Sequence, residues 1–307
     1  MKSRKTAIII QGGGIKGTFS AGVAYGLSEI GIQGADVMIG ISSGFPTMAY
    51  FAAHQYESMK HIWVDEVGSR NFISYKDFLF GKSVFNLQYL INEVFRKKYP
   101  LQVDKILRLD SEFLVPLLNY ETGVLRLFSN HEIGSEEAFW KFLQATITVH
   151  DSYIDWGGSL EKFVDADLDP FAFYRQQIIP KDWNVLIIIN HKELHRTLKR
   201  WIGIRLFRLF QARHFPQGIK NILKKRGELI DSGIVLFDQF LKEYKPIIIN
   251  PPSKTKLNLG SLIDRDKNRL HDIFEEGRGV VFDMEKSETT RSQLKVFIER
   301  SEELMRK

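Results

Sequence analysis

The chain has 307 residues, which is long enough for one large globular domain or two small ones. Its composition, 44% hydrophobic and 26% charged, is ordinary for a globular protein. Its formal net charge of +6 predicts a partner that carries negative charge, either an anionic lipid surface or a nucleic acid. The sequence contains no cysteine, which excludes disulfides, thiolate nucleophiles and cysteine-based zinc sites.

The N-terminus is basic from Met1 to Lys5, as at the start of a signal peptide, but only about five apolar residues follow before Gln11. No apolar run approaches the roughly 18 residues of a membrane span. We therefore expect a cytoplasmic protein, or one that is attached peripherally to a membrane.

The beginning of the chain predicts two strand-to-helix units. Apolar runs over 6–10 and 37–39 predict buried strands, and amphipathic patterns over 18–30 and 45–54 predict the helices that follow them. Strands that alternate with helices favour a parallel sheet joined by right-handed crossovers. The fold class that these units predict is α/β.

The rest of the chain predicts a single domain over 1–307, because no linker, repeat or low-complexity tract interrupts it. The additions to that domain are a mostly helical insertion at about 55–120, a basic helical segment at about 192–226 and an amphipathic C-terminal helix at about 286–306. Further strands are predicted at 123–129, 147–149, 163–164, 185–189 and 246–250.

The first predicted strand ends in a glycine-rich turn, Gly12-Gly13-Gly14-Ile15-Lys16-Gly17. The turn matches the dinucleotide fingerprint, but Asp36, the acidic residue at a suitable distance, precedes the second strand instead of ending it. A P-loop would need Gly-Lys-Ser/Thr, and here Lys16 precedes Gly17. A third interpretation is an oxyanion site, in which N–H groups at a helix N-terminus face an anion. An ordinary tight turn without a ligand is the remaining interpretation.

The second predicted strand ends in Gly40-Ile41-Ser42-Ser43-Gly44, which matches the pattern G-x-S-x-G. In a nucleophile elbow this turn joins a strand to a helix, and its strained backbone lifts the serine hydroxyl clear of the sheet. The match lies between a predicted strand and a predicted helix, as an elbow requires. A serine-rich turn without a catalytic role is the alternative.

Together, the two turns resemble the patatin-like phospholipase family, in particular its bacterial members. The resemblance is strong over residues 6–54 and continues loosely through 165–167 and the basic stretch near 200. It implies a three-layer α/β/α sandwich with a mainly parallel central sheet. It also implies a serine acyl hydrolase that cleaves acyl esters of lipids with a Ser–Asp dyad and needs no metal or cofactor.

Carried over residue by residue, the family's nucleophile corresponds to Ser42. The family's oxyanion hole corresponds to Gly12, Gly13 and Gly14, and the supporting positions correspond to Lys16, Gly40 and Gly44. The resemblance thus assigns a role to each of the two turns and implies that they lie side by side.

The family's aspartate stands in an Asp-Gly-Gly or Asp-Gly-Ala motif after a short strand, and its best match here is Asp165. The expected glycine is replaced by Ala166, which costs on the order of 1 kcal/mol if the position takes a positive φ. The stretch before Pro170 is also shorter than usual, so an alignment from that proline backwards puts the aspartate's place on Val164. We favour Asp165, with Asp167 in reserve. A solvated acidic loop is the alternative.

Other catalytic arrangements have weaker support. A Ser–His–Asp triad would need a histidine after the elbow, and the candidates are His150 and His191, although a structural or surface role suits each of them better. Asp155 and Trp156 precede a pair of glycines, and we interpret that segment as a β-turn. No H-E-x-x-H spacing occurs, so no metal site and no cofactor is predicted.

The segment 192–226 holds 11 lysine and arginine residues and one acidic residue, Glu193. Apolar side chains at helical spacing within it predict a basic amphipathic helix, the form that binds an anionic membrane surface. The side chains expected to contact the membrane are Arg200, Trp201, Phe207 and Phe210. Packing of the apolar face on the domain core is the alternative. Nucleic acid is a weaker candidate, because no recognised binding motif accompanies the charge.

The sequence thus predicts a lipid acyl hydrolase in which Asp165 activates Ser42 and the glycine turn stabilises the oxyanion. The expected substrate is a phospholipid or another acyl lipid, and the expected partner is an anionic membrane surface and not nucleic acid. Two rival hypotheses stay open. One is a catalytically impaired lipid- or membrane-binding protein with the same fold, and the other is a nucleotide-binding α/β domain that uses the glycine turn.

Overall fold

The computed structural model describes residues 4–74, 85–148, 152–156, 159–190, 216–255, 257 and 264–306. The strands are β1 (Thr6–Ile10), β2 (Val37–Gly40), β3 (Glu112–Asn119), β4 (Leu125–Ser129), β5 (Ser152–Trp156), β6 (Ser159–Asp165), β7 (Asn184–Ile188) and β8 (Ile247–Ile249). The helices are α1 (Gly17–Glu29), α2 (Gly44–Ala52), α3 (Tyr56–His61), α4 (Leu87–Tyr89), α5 (Val103–Leu107), α6 (Asn130–Ile133), α7 (Glu136–Thr146), α8 (Ala172–Arg175), α9 (Gln217–Tyr244), α10 (Lys267–Lys286) and α11 (Glu288–Met305). Single 3₁₀ turns lie at Gly14–Lys16 and Ala166–Leu168, and π-helical segments extend α3 over Ile62–Glu66 and α4 over Leu90–Lys98.

The described strands form one eight-stranded sheet with a parallel core. At its centre lies β1, with β2 and β7 as parallel neighbours; β3 extends the parallel order beyond β2, and β8 extends it beyond β7. Both β4 and β6 pair with β3 in the antiparallel direction, and β5 pairs with β6. The runs of Ile, Val and Leu in β1 and β7 suit strands that are buried on both faces by connecting helices.

Helices cover both faces of the sheet. Alternate residues of a strand point to opposite faces, so Ile8 and Ile10 of β1 lie in one hydrophobic core and Ala7 and Ile9 lie in another. The first core includes apolar side chains of α1, α2, α7 and α10, and the second includes those of α8 and α9. The predicted fold class is therefore confirmed: the molecule is a three-layer α/β/α sandwich with a mainly parallel central sheet.

Two strands share one edge of β3 and meet there end to end. Leu114 of β3 is paired with Ile39 of β2 and Leu117 with Asp165 of β6, while β4 pairs with both leucines from the other edge. Since β2 runs parallel to β3 and β6 runs antiparallel to it, the carboxyl ends of β2 and β6 point at each other. The turn that follows Gly40 is thereby brought to the end of β6.

The helical insertion predicted at about 55–120 is too long, because its last residues form β3. The leucine-rich sequence and Pro116 concealed this strand, since proline is rare in central strands. Pro116 lies in the interval between β2, whose pairing ends at Leu114, and β6, whose pairing starts at Leu117. On this edge of β3, the residues between Leu114 and Leu117 pair with neither β2 nor β6, so a proline, which has no N–H to donate, is accepted there.

Part of the predicted organisation falls outside the described residues. The basic segment predicted at about 192–226 is described only from residue 216 onward, where α9 begins. The predicted membrane contacts are all outside the described ranges: Arg200, Trp201, Phe207 and Phe210. Asp155 and Trp156, predicted to start a turn, belong to β5 instead because they pair with β6. No helix in the described part of the chain has both the length and the apolar character to cross a membrane.

The C-terminal helices pack on the N-terminal unit through α10. This helix crosses α1 so closely that added Cβ atoms at Gly22 and Gly277 would overlap backbone carbonyls of the other helix. The last helix, α11, falls within the range predicted for a C-terminal helix and buries Leu294 and Phe297. These contacts attach the end of the chain to the helix that follows the glycine turn.

Candidate active site

Ser42 occupies a sharp turn between β2 and α2. Its φ is +53°, in the left-handed region that residues other than glycine rarely adopt. Backbone hydrogen bonds close the turn, from Gly44 N–H to Ile41 O at 2.8 Å and from Phe45 N–H to Ser42 O at 2.9 Å. A strained strand-to-helix turn of this kind has the geometry of a nucleophile elbow.

The two glycines that flank this turn leave room for neighbouring backbone. A Cβ on Gly40 would lie 2.5 Å from the Cα of Phe45, and one on Gly44 would overlap the carbonyl group of Ile10 in β1. The path of the chain therefore requires glycine at both positions. This close approach is the physical reason for the glycines of the G-x-S-x-G pattern.

Asp165, the last residue of β6, contacts Ser42 where β2 and β6 end beside each other on one edge of β3. The Ser42 hydroxyl Oγ donates a hydrogen bond to Asp165 Oδ2 at 2.5 Å, within the range of charge-assisted O–H···O⁻ bonds. The other carboxylate oxygen, Oδ1, accepts the backbone N–H of Asp167 at 2.8 Å, which fixes the orientation of the carboxylate. Ser42 and Asp165 are only 9% and 8% exposed, so water competes little for the bond between them.

Alanine at position 166 fits its backbone without strain. Asp165 has φ −52° and ψ 126°, and Ala166 begins a 3₁₀ turn with a negative φ. The penalty expected for replacing glycine does not arise, because the loop turns through the hydrogen bond between the Asp165 carboxylate and Asp167 N–H. Val164, the other position considered for the aspartate, is buried in β6 and paired with Leu118.

The glycine turn after β1 packs directly against the serine. A Cβ on Gly12 would lie 2.7 Å from the Cβ of Ser42 and 3.4 Å from the carboxyl carbon of Asp167, so only glycine fits there. Among the described residues, none accepts a hydrogen bond from the backbone N–H of Gly12, Gly13 or Gly14. The turn leads into α1, whose N-terminal end is positive, so these N–H groups suit an anion beside Ser42.

The remaining predicted residue of the turn, Lys16, is half-buried at the last position of the 3₁₀ turn. Its backbone N–H donates to Gly13 O at 3.3 Å, which closes the turn. The next residue, Gly17, opens α1 against Trp63, whose indole ring would lie 2.5 Å from a Cβ at position 17. The π-helical segment after α3 carries this tryptophan, so an irregular part of the insertion packs on the start of α1.

Asn190, a residue that sequence reasoning missed, contacts the glycine turn from the end of β7. It is 1% exposed, and its Nδ2 donates to Gln11 O at 2.9 Å and to Gly12 O at 3.5 Å. Its Oδ1 accepts the hydroxyl of Ser20 in α1 at 2.5 Å. The one feature of the sequence that could have indicated this role is the position of Asn190 after a predicted strand, because residues that follow parallel strands lie together at the carboxyl ends of those strands.

A second side chain that sequence reasoning missed, Tyr174, holds the residue before the glycines. Gln11 Nε2 donates to the Tyr174 hydroxyl oxygen at 2.7 Å, and burial raises the pKa of Tyr174, which keeps the phenol neutral. The backbone N–H of Gln11 donates to Ile188 O at 3.0 Å. Gln11 is thus fixed by its backbone and by its side chain.

Asp36, the acidic residue considered for a dinucleotide site, lies at the amino-terminal ends of the parallel strands, whereas the glycine turn lies at their carboxyl ends. It precedes β2 and accepts hydrogen bonds from the Arg300 guanidinium and from Thr6 N–H, each at 2.9 Å. Burial alone would raise the pKa of Asp36, but these hydrogen bonds outweigh burial and hold the pKa below its ordinary value. The structure therefore does not bring Asp36 together with the glycine turn.

No protein-family model matches this chain, and no curated protein sequence matches it.

The histidines considered for a triad, His150 and His191, lie outside the described residues. The resemblance to the patatin-like family therefore rests on the two turns and the aspartate, and the chemistry of the site has to be derived from its own geometry.

The residues that meet at this edge of the sheet have the chemical properties that acyl transfer requires. A serine hydroxyl that is hydrogen-bonded to a carboxylate can give up its proton as it attacks a carbonyl carbon. Backbone N–H groups at a glycine turn can bind the negative charge that develops on the carbonyl oxygen. The carboxylate of Asp165 and the hydroxyl of Ser42 are already within hydrogen-bond reach of each other.

Proposed function

We propose that this chain is a serine acyl hydrolase that cleaves ester bonds of phospholipids or related lipids, in the manner of the patatin-like phospholipases. The observation that carries the proposal is the 2.5 Å hydrogen bond from Ser42 Oγ to Asp165 Oδ2, at a strained turn packed against Gly12. Acyl transfer needs a nucleophile, a base and donors for an oxyanion, and this region of the molecule contains a candidate for each.

The proposed reaction begins when Ser42 Oγ attacks the ester carbonyl carbon and Asp165 accepts the hydroxyl proton. The carbonyl oxygen becomes an oxyanion held by N–H groups of Gly12, Gly13 and Gly14, and one such donor typically contributes about 3 kcal/mol. The tetrahedral intermediate then collapses, and the proton passes to the departing alcohol. Water, deprotonated by Asp165, attacks the acyl-enzyme, which releases the fatty acid and restores the serine.

A lipid substrate is supported by the resemblance and by the charge of the chain. The net charge is +6, and 11 lysine and arginine residues fall within 192–226. Each basic side chain near an anionic bilayer contributes about 1 kcal/mol to binding. The proposal therefore includes a membrane contact through residues that follow Asn190 in the sequence, namely Arg200, Trp201, Phe207 and Phe210.

The test combines labelling of the purified protein by a fluorophosphonate probe with measurement of fatty acid released from anionic phospholipid vesicles. We expect the wild-type protein to be labelled and to release fatty acid, and Ser42→Ala to do neither. Ser43→Ala is the matched control. It removes a buried hydroxyl that has no hydrogen-bond partner in the described structure and keeps every backbone N–H, so labelling should persist.

Two results would overturn the proposal. One is release of fatty acid that is unchanged in Ser42→Ala, and the other is a wild-type protein that neither reacts with the probe nor releases fatty acid. Binding to vesicles without labelling or release would instead favour the rival hypothesis of a lipid-binding protein with this fold.

A further inference from the structure

Asn190 joins β7, the glycine turn and α1 through one side chain. Carbonyl oxygens only accept hydrogen bonds, so Nδ2 must face the carbonyls of Gln11 and Gly12, and the hydroxyl of Ser20 then donates to Oδ1. Asn190 is 1% exposed, so the reverse orientation would place oxygen against oxygen in the interior. The orientation of the amide is therefore fixed by its surroundings.

A carbonyl that is held in place also directs the next N–H group. In a trans peptide unit, the C=O of one residue and the N–H of the following residue point in opposite directions. By holding the carbonyl of Gln11, Asn190 directs the N–H of Gly12 away from itself, and by holding the carbonyl of Gly12 it directs the N–H of Gly13 in the same way. Rotation of either peptide unit would exchange a donor for an acceptor within the turn.

We propose that Asn190 is a positioning residue that fixes two of the three peptide units that present the oxyanion donors, those carrying the N–H groups of Gly12 and Gly13, without touching the substrate. This inference rests on the proposed acyl hydrolase function. Gly12 and Gly13 need such a restraint because glycine lacks the side chain that limits the backbone of other residues. Asn190 supplies the restraint from a separate strand, so the donors stay oriented before a substrate arrives.

Asn130 provides a matched control for this inference. It is fully buried, its Nδ2 donates to the carbonyls of Ile106 and Leu109 at 3.1 and 3.2 Å, and its Oδ1 accepts the Phe113 N–H at 2.9 Å. Like Asn190, it donates to two carbonyls and accepts one hydrogen bond. Phe113, however, lies at the start of β3, roughly 13 Å along the strand from Leu117, which pairs with Asp165.

The experiment measures the rate of fluorophosphonate labelling, the kcat and KM of ester hydrolysis and the melting temperature for Asn190→Asp, Asn190→Ala and Asn130→Asp. Both Asn190 variants lose the donor to the two carbonyls, so the labelling rate and kcat should fall about 100-fold, with KM unchanged within about threefold. Asn130→Asp loses the same type of hydrogen bonds, so it should lower the melting temperature comparably but keep the labelling rate within about threefold of wild type.

A labelling rate in Asn190→Ala equal to that of wild type would overturn the inference. So would an equal loss of rate in Asn130→Asp, because the effect would then reflect stability. If Asn190→Asp does not fold, Asn190→Ala decides, since it introduces no buried charge. A wild-type protein that is never labelled contradicts the acyl hydrolase function itself and the inference with it. Loss confined to the Asn190 variants of a reactive protein supports both.

Discussion

Gly12 packs against Ser42 so closely that a Cβ on residue 12 would lie 2.7 Å from the Cβ of the serine. The glycine turn and the serine turn therefore form one unit, although β1 carries the first and β2 carries the second. We therefore expect a change of shape in either turn to alter the other through this contact.

Gly12→Ala is expected to reduce ester hydrolysis about 100-fold, because the added methyl group must displace Ser42 or distort the oxyanion donors. The measurement is kcat with a soluble ester, alongside the melting temperature. Gly34→Ala is the control, since a Cβ there meets no atom of the described structure within 4 Å, and it should match the wild-type kcat. A Gly12→Ala protein with wild-type kcat would show that the two turns do not act together.

Asp165→Asn is expected to lower kcat about 1,000-fold, because the amide cannot take the proton of Ser42. Asp167→Asn keeps the backbone N–H that donates to Asp165 Oδ1, so its kcat should stay within about tenfold of wild type. Steady-state kinetics of the two variants separate the aspartates. A larger loss in Asp167→Asn would assign the base to residue 167.

Asp36→Asn is expected to lower the free energy of unfolding by about 2 kcal/mol at neutral pH, because Arg300 loses the more buried of its two carboxylate partners and keeps Glu303. Folding lowers the pKa of Asp36, so its stabilisation is complete above the unfolded value of 3.8 and is lost as the pH falls through the folded value. Urea unfolding of the wild type and the variant should therefore give a constant difference above about pH 5, which shrinks under stronger acid. A difference that grows on acidification would contradict this linkage.

Gly277→Ala in α10 is expected to lower the free energy of unfolding by about 2 kcal/mol, because the new Cβ overlaps the carbonyl of Phe19 in α1. Gly279→Ala in the same helix is expected to raise it by about 0.5–1 kcal/mol, because its Cβ meets no atom of the described structure within 4 Å and alanine favours a helix. Chemical denaturation measures both. Stabilisation by both changes would mean that helix propensity outweighs the contact between the helices.

The two N-terminal units could be predicted closely because glycine marks the turns between their strands and helices. The helices expected at 18–30 and 45–54 are α1 (Gly17–Glu29) and α2 (Gly44–Ala52), and the strand expected at 37–39 is β2 (Val37–Gly40). Local chemistry determines these boundaries, so the local sequence is enough to predict them.

The features that depend on distant partners could not be predicted in the same way. Pairing with β2, β4 and β6 makes β3 a strand despite its leucines and Pro116. Asn190 is the first of several polar residues after a strand, and its partner Gln11 lies 179 positions earlier. Asp165 was chosen from a motif, but its contact with Ser42, 123 positions earlier, depends on the direction of β6, which no local pattern encodes.

Because β2 and β6 meet on one edge of β3, the register with which each strand pairs with β3 determines the distance between Ser42 and Asp165. Each residue along a strand advances about 3.3 Å and reverses the face to which its side chain points. Slippage of β6 by one residue would turn the carboxylate to the wrong face, and slippage by two would carry it about 7 Å away. An insertion within β6 would thus separate Asp165 from Ser42 and abolish the proposed ester hydrolysis while the other strands keep their pairing. Loops that lie away from the glycine turn and the serine turn tolerate changes in length better.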